Sequence, residues 1–149
     1  IVASLVGSEM CIRDSYTGNN RTHMIRIPDP GRFELRLMDG SANPYLLQAS
    51  VLAAGLYGLK NKVDPGKPLD CNMYEDHHKY PNLPKLPDEL AQSLNLLKNN
   101  KDMNDAFGKD VIESYIKLRS SEMNEFKSKD SFDKTKDVTK WEKDNTLDC

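Results

Sequence analysis

The sequence has few of the features that mark several large protein classes. No apolar run approaches the roughly 20 residues that span a bilayer, and aromatic residues make up only 7% of the chain. The three cysteines, at positions 11, 71 and 149, lie far apart without paired metal spacing, so they indicate neither a disulfide framework nor a zinc site. Basic residues are not in surplus, since 21 Lys and Arg stand against 23 Asp and Glu. This balance argues against a nucleic-acid-binding surface, which is usually basic.

Hydrophobic residues are also scarce, at 38% of the 149 residues, and the mean hydropathy is −0.69. The length suffices for one domain with a modest core, but this composition is typical of part of a larger domain. The first residue is Ile1 rather than Met, and residues 4–15 resemble a translated sequencing-adapter sequence. We therefore expect residues 1–15 to be non-native and the natural N-terminus to be missing.

The most informative stretch of the sequence is the run from Arg32 to Leu37. Side chains alternate between two faces of a strand, so Phe33 and its apolar neighbours share one face while Arg32, Glu34 and Arg36 share the other. One interpretation is a self-neutralised row of surface salt bridges, which contributes little stability. The other is a site in which the arginines bind phosphate or carboxylate and Glu34 binds a metal ion.

The residues before this run predict a β-hairpin over residues 23–37. Residues 23–27 alternate, and Pro28-Asp29-Pro30-Gly31 is a strong turn signal. If Ile27 pairs directly with Arg32, then Arg26 points away from the charged face. Arg26 joins that face only if the loop is longer or the strand contains a bulge, and the sequence leaves both possibilities open.

The remainder of the chain predicts helices, and the fold class is α+β. Asn43-Pro44 starts a helix that is apolar on all sides to Leu59, so we expect it to be buried against the sheet of a larger domain. A long loop then runs to Pro84. Two amphipathic helices follow, one from Pro87 that ends near residue 100 and one over 109–127. The alternating charges of 127–144 indicate a solvated helix end or tail, with its end anchored by Trp141 and Leu147.

Several ordered blocks carry a resemblance to a known family: residues 20–22, 25–28, 32–36, 41–45, 53–62, 64–66 and 72–74. With these blocks, residues 16–149 resemble the C-terminal part of the catalytic domain of glutamine synthetase. The similarity is greatest to the bacterial branch often labelled type III glutamate–ammonia ligase. The resemblance implies a ligase that phosphorylates the γ-carboxylate of glutamate with ATP, after which ammonia displaces phosphate.

The resemblance also implies roles for the charged residues. Glu34 matches a ligand of Mg²⁺ or Mn²⁺, and Arg36 matches the arginine that binds the glutamate carboxylate. Arg21, Arg26 and Arg32 match arginines that contact the nucleotide phosphates or the transferring phosphoryl group, so that Arg21 and Arg36 act directly in catalysis. The family forms homo-oligomeric rings with active sites between subunits, so we expect this fragment to be inactive alone. Its parent is expected in the cytoplasm or an organelle, with neither nucleic-acid nor membrane partners.

Three residues of the long loop need separate interpretations. Tyr74 matches a tyrosine that some bacterial members use as a nucleotidylylation site, but the following Glu75-Asp76-His77 departs from the usual pattern. His77 and His78 are either metal ligands or solvated side chains, and adjacent histidines point apart, which favours solvation.

Other functions remain open. The acceptor is either ammonia or a small amine such as methylamine, which would make the protein a γ-glutamyl-methylamide-type ligase. Another alternative is a non-catalytic relative that kept the fold as a structural protein. The retained arginines and Glu34 favour a ligase, because a scaffold does not require a charged strand face. A nucleic-acid or adaptor module built on the Lys-rich tail is disfavoured by the net charge of −2.

Overall fold

The computed structural model describes residues 15–38, 42–87, 89–129 and 138–145, and it is an α+β structure, as predicted. These residues belong to two compact units. One contains residues 15–38 and 64–86, and the other contains residues 42–63 and the helices that follow Pro87.

The first unit contains a three-stranded sheet in the order β1-β2-β3, with β1 Tyr16–Thr17, β2 Ile25–Asp29 and β3 Arg32–Leu35. Strands β2 and β3 are antiparallel, which confirms the predicted hairpin. Asp29 pairs with Arg32, so Pro30 and Gly31 form a two-residue turn. Gly31 has a φ of 79°, and Pro followed by a positive-φ glycine is the combination that a type II turn requires.

Strand β1 was not predicted from the sequence. The strand pairs in parallel with β2, and Tyr16 lies beside Ile25. Its other side is bound by the loop that contains Leu69, because the Leu69 amide donates to the Tyr16 carbonyl at 3.0 Å. The Tyr16 hydroxyl also donates to the Gly66 carbonyl at 2.7 Å. A two-residue strand has no periodicity of its own, and these distant partners determine its conformation.

The long loop after residue 63 is also more ordered than predicted. It contains helix α2, Met73–Asp76, followed by a single 3₁₀ turn, His77–Lys79. The side chain of Asn72 accepts a hydrogen bond from the Tyr74 amide at 3.2 Å, which is a normal N-cap interaction. Met73 is buried in the core of this unit.

The second unit begins with helix α1, Pro44–Lys60. Its predicted start is confirmed, because the Asn43 side chain accepts hydrogen bonds from the amides of Tyr45 and Leu46. The prediction that α1 is buried against the sheet of a larger domain is not tested within this chain, in which none of the residues of α1 is buried. Leu59 is 79% exposed and Leu52 is 66% exposed. The helix is apolar on several sides, and among the described elements of its unit it packs chiefly against α4.

Three further helices follow: α3 Leu90–Asn99, α4 Lys101–Phe107 and α5 Lys109–Lys129. The two predicted amphipathic helices are therefore present, although α3 begins three residues after Pro87. Leu94 and Ile112 supply buried side chains. Helix α4 was not predicted. It arises because Asn100, which ends α3, also caps α4 by accepting a hydrogen bond from the Met103 amide at 2.9 Å.

Helix α6, Lys140–Asn145, lies in the stretch predicted as a solvated tail. Thr139 and Glu142 form a reciprocal capping box: the Thr139 amide donates to Glu142 Oε2 at 2.8 Å, and the Glu142 amide donates to Thr139 Oγ1 at 3.2 Å. Trp141 is buried and packs edge-on against Phe126, with 5.6 Å between ring centroids, so its predicted anchoring role is confirmed. Leu147 lies outside the described residues. Within the described ranges, no helix is long and apolar enough to cross a membrane.

Candidate functional site

Arg26 and Glu34 lie opposite each other across the hairpin of β2 and β3. Arg26 Nη1 is 2.7 Å from Glu34 Oε2. The pairing shifts between Arg26 and Asp29, and this bulge rotates Arg26 onto the charged face. The structure therefore answers the question of register that the sequence left open: Arg26 shares the face of Arg32 and Glu34.

Each oxygen of the Glu34 carboxylate is paired with a different arginine. Arg32 Nη2 is 2.8 Å from Glu34 Oε1, while Arg26 binds Oε2. The two arginines differ in exposure, because the Arg26 side chain is 14% exposed and that of Arg32 is 63% exposed. Arg26 also has a second partner. Its Nε donates to Asn19 Oδ1 at 2.9 Å, and its Nη2 contacts the same oxygen. Arg26 is thus held by two partners and is mostly buried, whereas Arg32, which is bound to Glu34, is mostly exposed.

This arrangement keeps the Glu34 carboxylate ionised. The hydrogen bond from Arg26 is the largest cause of a pKa below the ordinary value for glutamate. Desolvation opposes that shift, and the charges of Arg26, Arg32 and Arg21 reinforce it. The negative charge of Glu34 is therefore available at neutral pH, surrounded by guanidinium groups.

The other two predicted site residues occupy less constrained positions. Arg21 is exposed in the connection between β1 and β2, and its charge acts on Glu34. Arg36 follows β3 directly, and its backbone amide donates to the Met24 carbonyl at 2.9 Å. Neither side chain forms an ion pair with a residue that the structure describes. The structure thus brings Arg26, Arg32 and Glu34 into contact and leaves the guanidinium groups of Arg21 and Arg36 without such a contact.

A polar cluster beside Arg21 was not predicted from the sequence. The side chains of Asn20 and His23 both bind the carbonyl oxygen of Cys71, each at 2.9 Å. His23 is only 2% exposed. The family resemblance gives a role to Arg21 but none to the polar residues on either side of it, although buried polar side chains require partners. The partner lies 48 residues further along the chain than His23, and no local pattern identifies it.

The chemistry of this face suits an anion better than an isolated cation. Arg21, Arg26 and Arg32 outnumber the single carboxylate of Glu34, and guanidinium groups bind phosphate or carboxylate oxygens in pairs. Glu34 offers oxygen ligands of the kind that Mg²⁺ prefers. No group of three or more His, Cys, Asp or Glu side chains that could hold a metal is present among the described residues. A metal at Glu34 would therefore require further ligands from elsewhere.

The loop residues singled out in the sequence form contacts within their own segment. Tyr74 is 48% exposed and lies in the first turn of α2. His77 Nδ1 is 3.3 Å from the Tyr74 carbonyl oxygen, and the ring of His78 stacks edge-on against that of His77. These contacts account for His77 locally, and modification of Tyr74 stays a prediction.

Comparison with known sequences identifies similar proteins. Residues 5–143 match the family described as "Glutamine synthetase, catalytic domain". The chain is 46% identical over 134 residues to a glutamine synthetase of Rhizobium meliloti (strain 1021), and this match covers 90% of this chain and 29% of the relative. It is 40% identical over 114 residues to a glutamate–methylamine ligase of Methyloversatilis universalis, and this match covers 74% of this chain and 25% of the relative.

A solved structure described as "GmaS/ADP complex-Conformation 1" has a similar fold. The TM-score is 0.75 and the identity is 39%, and the match covers 98% of this chain and 32% of the other. The chain thus spans less than a third of the length of these relatives.

Proposed function

Since the chain belongs to the glutamine synthetase catalytic-domain family, we propose that it is part of an ATP-dependent ligase that joins ammonia or a small amine to the γ-carboxylate of glutamate. The observation that carries this proposal is the charged face of the hairpin. Arg26 and Arg32 bind the two oxygens of Glu34, and the charge of Arg21 acts on the same carboxylate. Such a face can neutralise a phosphoryl group during its transfer.

The proposed reaction has two steps. In the first, an oxygen of the glutamate γ-carboxylate attacks the γ-phosphorus of ATP, the bond to the bridging oxygen breaks and ADP leaves. In the second, the nitrogen of ammonia or an amine attacks the acyl carbon, phosphate leaves, and a proton is lost from nitrogen. In the first step the negative charge of the transferring group is spread over its three equatorial oxygens, and fixed guanidinium groups stabilise it without reorganisation.

Within this proposal the residues take the roles that the family resemblance implies. Arg21, Arg26 and Arg32 contact the nucleotide phosphates or the transferring phosphoryl group. Arg36 binds the carboxylate of glutamate, and Arg21 and Arg36 act directly in catalysis. Glu34 supplies one carboxylate ligand to a Mg²⁺ or Mn²⁺ ion, which would neutralise phosphate charge when bound. ATP is supported as the phosphoryl donor by the similar structure described as an ADP complex.

The amine acceptor is the less determined part of the proposal. The 46% identity to a glutamine synthetase favours ammonia. The 40% identity to a glutamate–methylamine ligase and the likeness to the GmaS structure keep methylamine as the second candidate. We propose ammonia as the primary acceptor, a homo-oligomeric ring as the working assembly, and no activity for this chain alone.

The test is an assay of the full-length protein that contains this chain. Phosphate release from ATP is measured with glutamate and either ammonia or methylamine, and the amide product is identified by mass spectrometry. We expect activity with ammonia and its loss in Glu34→Ala. Glu113→Ala is the matched control, because Glu113 pairs with Lys109 on the exposed surface of α5. A full-length protein that assembles but forms no amide with either acceptor would support the structural-protein alternative.

A further inference from the structure

Arg21 is exposed, whereas the side chains of its neighbours Asn20 and His23 form hydrogen bonds. It lies in the seven residues between β1 and β2, and its guanidinium forms no ion pair with the residues that the structure describes. An arginine of this kind would ordinarily sample many rotamers, and fixing it costs conformational entropy. Its neighbours Asn20, Thr22 and His23 form the hydrogen bonds that hold this part of the backbone.

The carbonyl oxygen of Cys71 is bound by one residue before Arg21 and one residue after it. Asn20 Nδ2 donates to it at 2.9 Å, and His23 Nε2 lies at the same distance of 2.9 Å. A carbonyl oxygen cannot donate, so His23 Nε2 carries the proton. His23 Nδ1 is 2.9 Å from Ser15 Oγ, which can donate to it. Both lone pairs of the Cys71 oxygen are thus used by residues that flank Arg21.

Thr22 connects Asn20 to Met73, the first residue of α2. Its Oγ1 donates to Asn20 Oδ1 at 2.9 Å and accepts from the Met73 amide at 3.0 Å. Asn20 Oδ1 also accepts from the Thr22 amide at 2.9 Å. This last bond spans two residues, so it closes an Asx turn with Arg21 at its centre.

We propose that Asn20, Thr22 and His23 are positioning residues that fix the backbone of Arg21 against residues 71–73, so that its guanidinium is presented to the bound phosphate groups. The inference rests on the proposed function, because that function supplies the anion that Arg21 meets. The three side chains do not contact the anion themselves. They act through Arg21, and their effect therefore depends on Arg21 being present.

This dependence allows a double-mutant cycle in the full-length protein. Thr22→Val keeps the shape of the side chain but removes the hydroxyl, and Thr22→Ser keeps the hydroxyl. We expect Thr22→Val to lower kcat about 10- to 100-fold, as a misplaced catalytic group does, with KM for glutamate little changed. Thr22→Ser should restore most of the activity. Added to Arg21→Ala, Thr22→Val should cause little further loss, because contacting groups that act as a unit are non-additive.

Two further variants and one control protect the test against a simple loss of folding. His23→Gln supplies an amide N–H donor in place of the ring Nε2–H, whereas His23→Leu removes both ring nitrogens. The leucine variant should therefore lose more activity. Thr17→Val removes the hydroxyl of a buried threonine in β1, outside this network, and should leave kcat unchanged. Additive losses in the cycle, or a Thr22→Ser variant as impaired as Thr22→Val, would overturn the inference.

Binding of ADP, measured by calorimetry, separates this inference from the proposed function. If the wild type binds ADP but forms no amide with either acceptor, the proposed function fails and the cycle is run on ADP affinity instead. Thr22→Val must then weaken ADP binding only when Arg21 is present. If the wild type has ligase activity and the cycle is additive, the positioning role fails and the proposed function stands. A wild type that binds no ADP overturns both.

Discussion

Arg26 Nη1 and Glu34 Oε2 are 2.7 Å apart across the β2–β3 hairpin, and this contact exists only because the strand contains a bulge. A regular ladder from the Asp29–Arg32 pair would have put Ile27 opposite Glu34 and turned Arg26 to the other face. The bulge thus converts a row of alternating charges on one strand into a cluster contributed by two strands.

The first prediction concerns the two arginines that bind Glu34. Arg26→Lys should loosen the hairpin more than Arg32→Lys, because Arg26 binds Asn19 and Glu34 through different nitrogens of a rigid fork, whose geometry the single nitrogen of lysine does not reproduce. The check is hydrogen exchange of the Arg36 amide, which donates to Met24 across the hairpin. Exchange should be several-fold faster in Arg26→Lys and close to wild type in Arg32→Lys. Equal rates in the two variants would contradict this assignment.

The second prediction is a pH dependence. The folded-state pKa of Glu34 is lowered, mainly by the hydrogen bond from Arg26. Its contribution to stability is therefore fully present above the ordinary glutamate pKa of about 4.3 and is lost as the pH falls through the lowered value. Titration of the Glu34 carboxylate carbon by NMR should give a midpoint below the ordinary value. Arg26→Met should move that midpoint upwards, whereas Arg119→Met, on α5, should not move it.

The third prediction concerns the turn between β2 and β3. Gly31 has a φ of 79°, so Gly31→Ala should cost about 1–2 kcal/mol of stability, the strain of an L-residue in the left-handed region. Gly18→Ala is the control, since Gly18 is not among the described positive-φ glycines and neither position has an atom within 4 Å of an added Cβ. Hairpin amide exchange in increasing urea measures the difference. A larger loss in Gly18→Ala would show that the turn conformation is not the cause.

The fourth prediction concerns the capping box of α6. Thr139→Ala removes the hydroxyl that accepts from the Glu142 amide and should cost about 1 kcal/mol, while Thr139→Ser should cost much less. Trp141 is the single tryptophan of the chain and is buried against Phe126, so its fluorescence reports the release of α6 directly. Indistinguishable urea transitions for the alanine and serine variants would show that the cap does not hold this helix.

Local features were predictable because their causes are local. The alternation of Arg32 to Leu37 predicted a strand, and Pro28-Asp29-Pro30-Gly31 predicted a turn, because each depends on backbone preferences within a few residues. In the structure β2 continues to Asp29, and the turn is shorter than predicted. Asn43-Pro44 predicted the start of α1 for the same reason. The sequence also placed Arg32 and Glu34 on one face, and the resemblance of its ordered blocks indicated the family.

The limits of that reasoning are equally physical. The capping box of α6 was present in the sequence as Thr139 and Glu142 but was hidden within a run of alternating charges. Helix α4 followed from the second role of Asn100, which a search for helix ends alone does not detect. Strand β1 has only two residues, too few for any periodic signal, and its conformation depends on hydrogen bonds to Leu69 and Gly66.

The sequence by itself determined that the chain is α+β, that it carries a hairpin with a charged face, and that Arg32 and Glu34 share that face. Only the tertiary structure decided that Arg26 joins them, that the apolar α1 has no buried residue in this chain, and that Asn20 and His23 converge on Cys71. The physical reason is the range of the interactions. Propensity, alternation and capping act over a few residues, whereas a bulge, a buried surface and a shared carbonyl depend on partners brought together by folding.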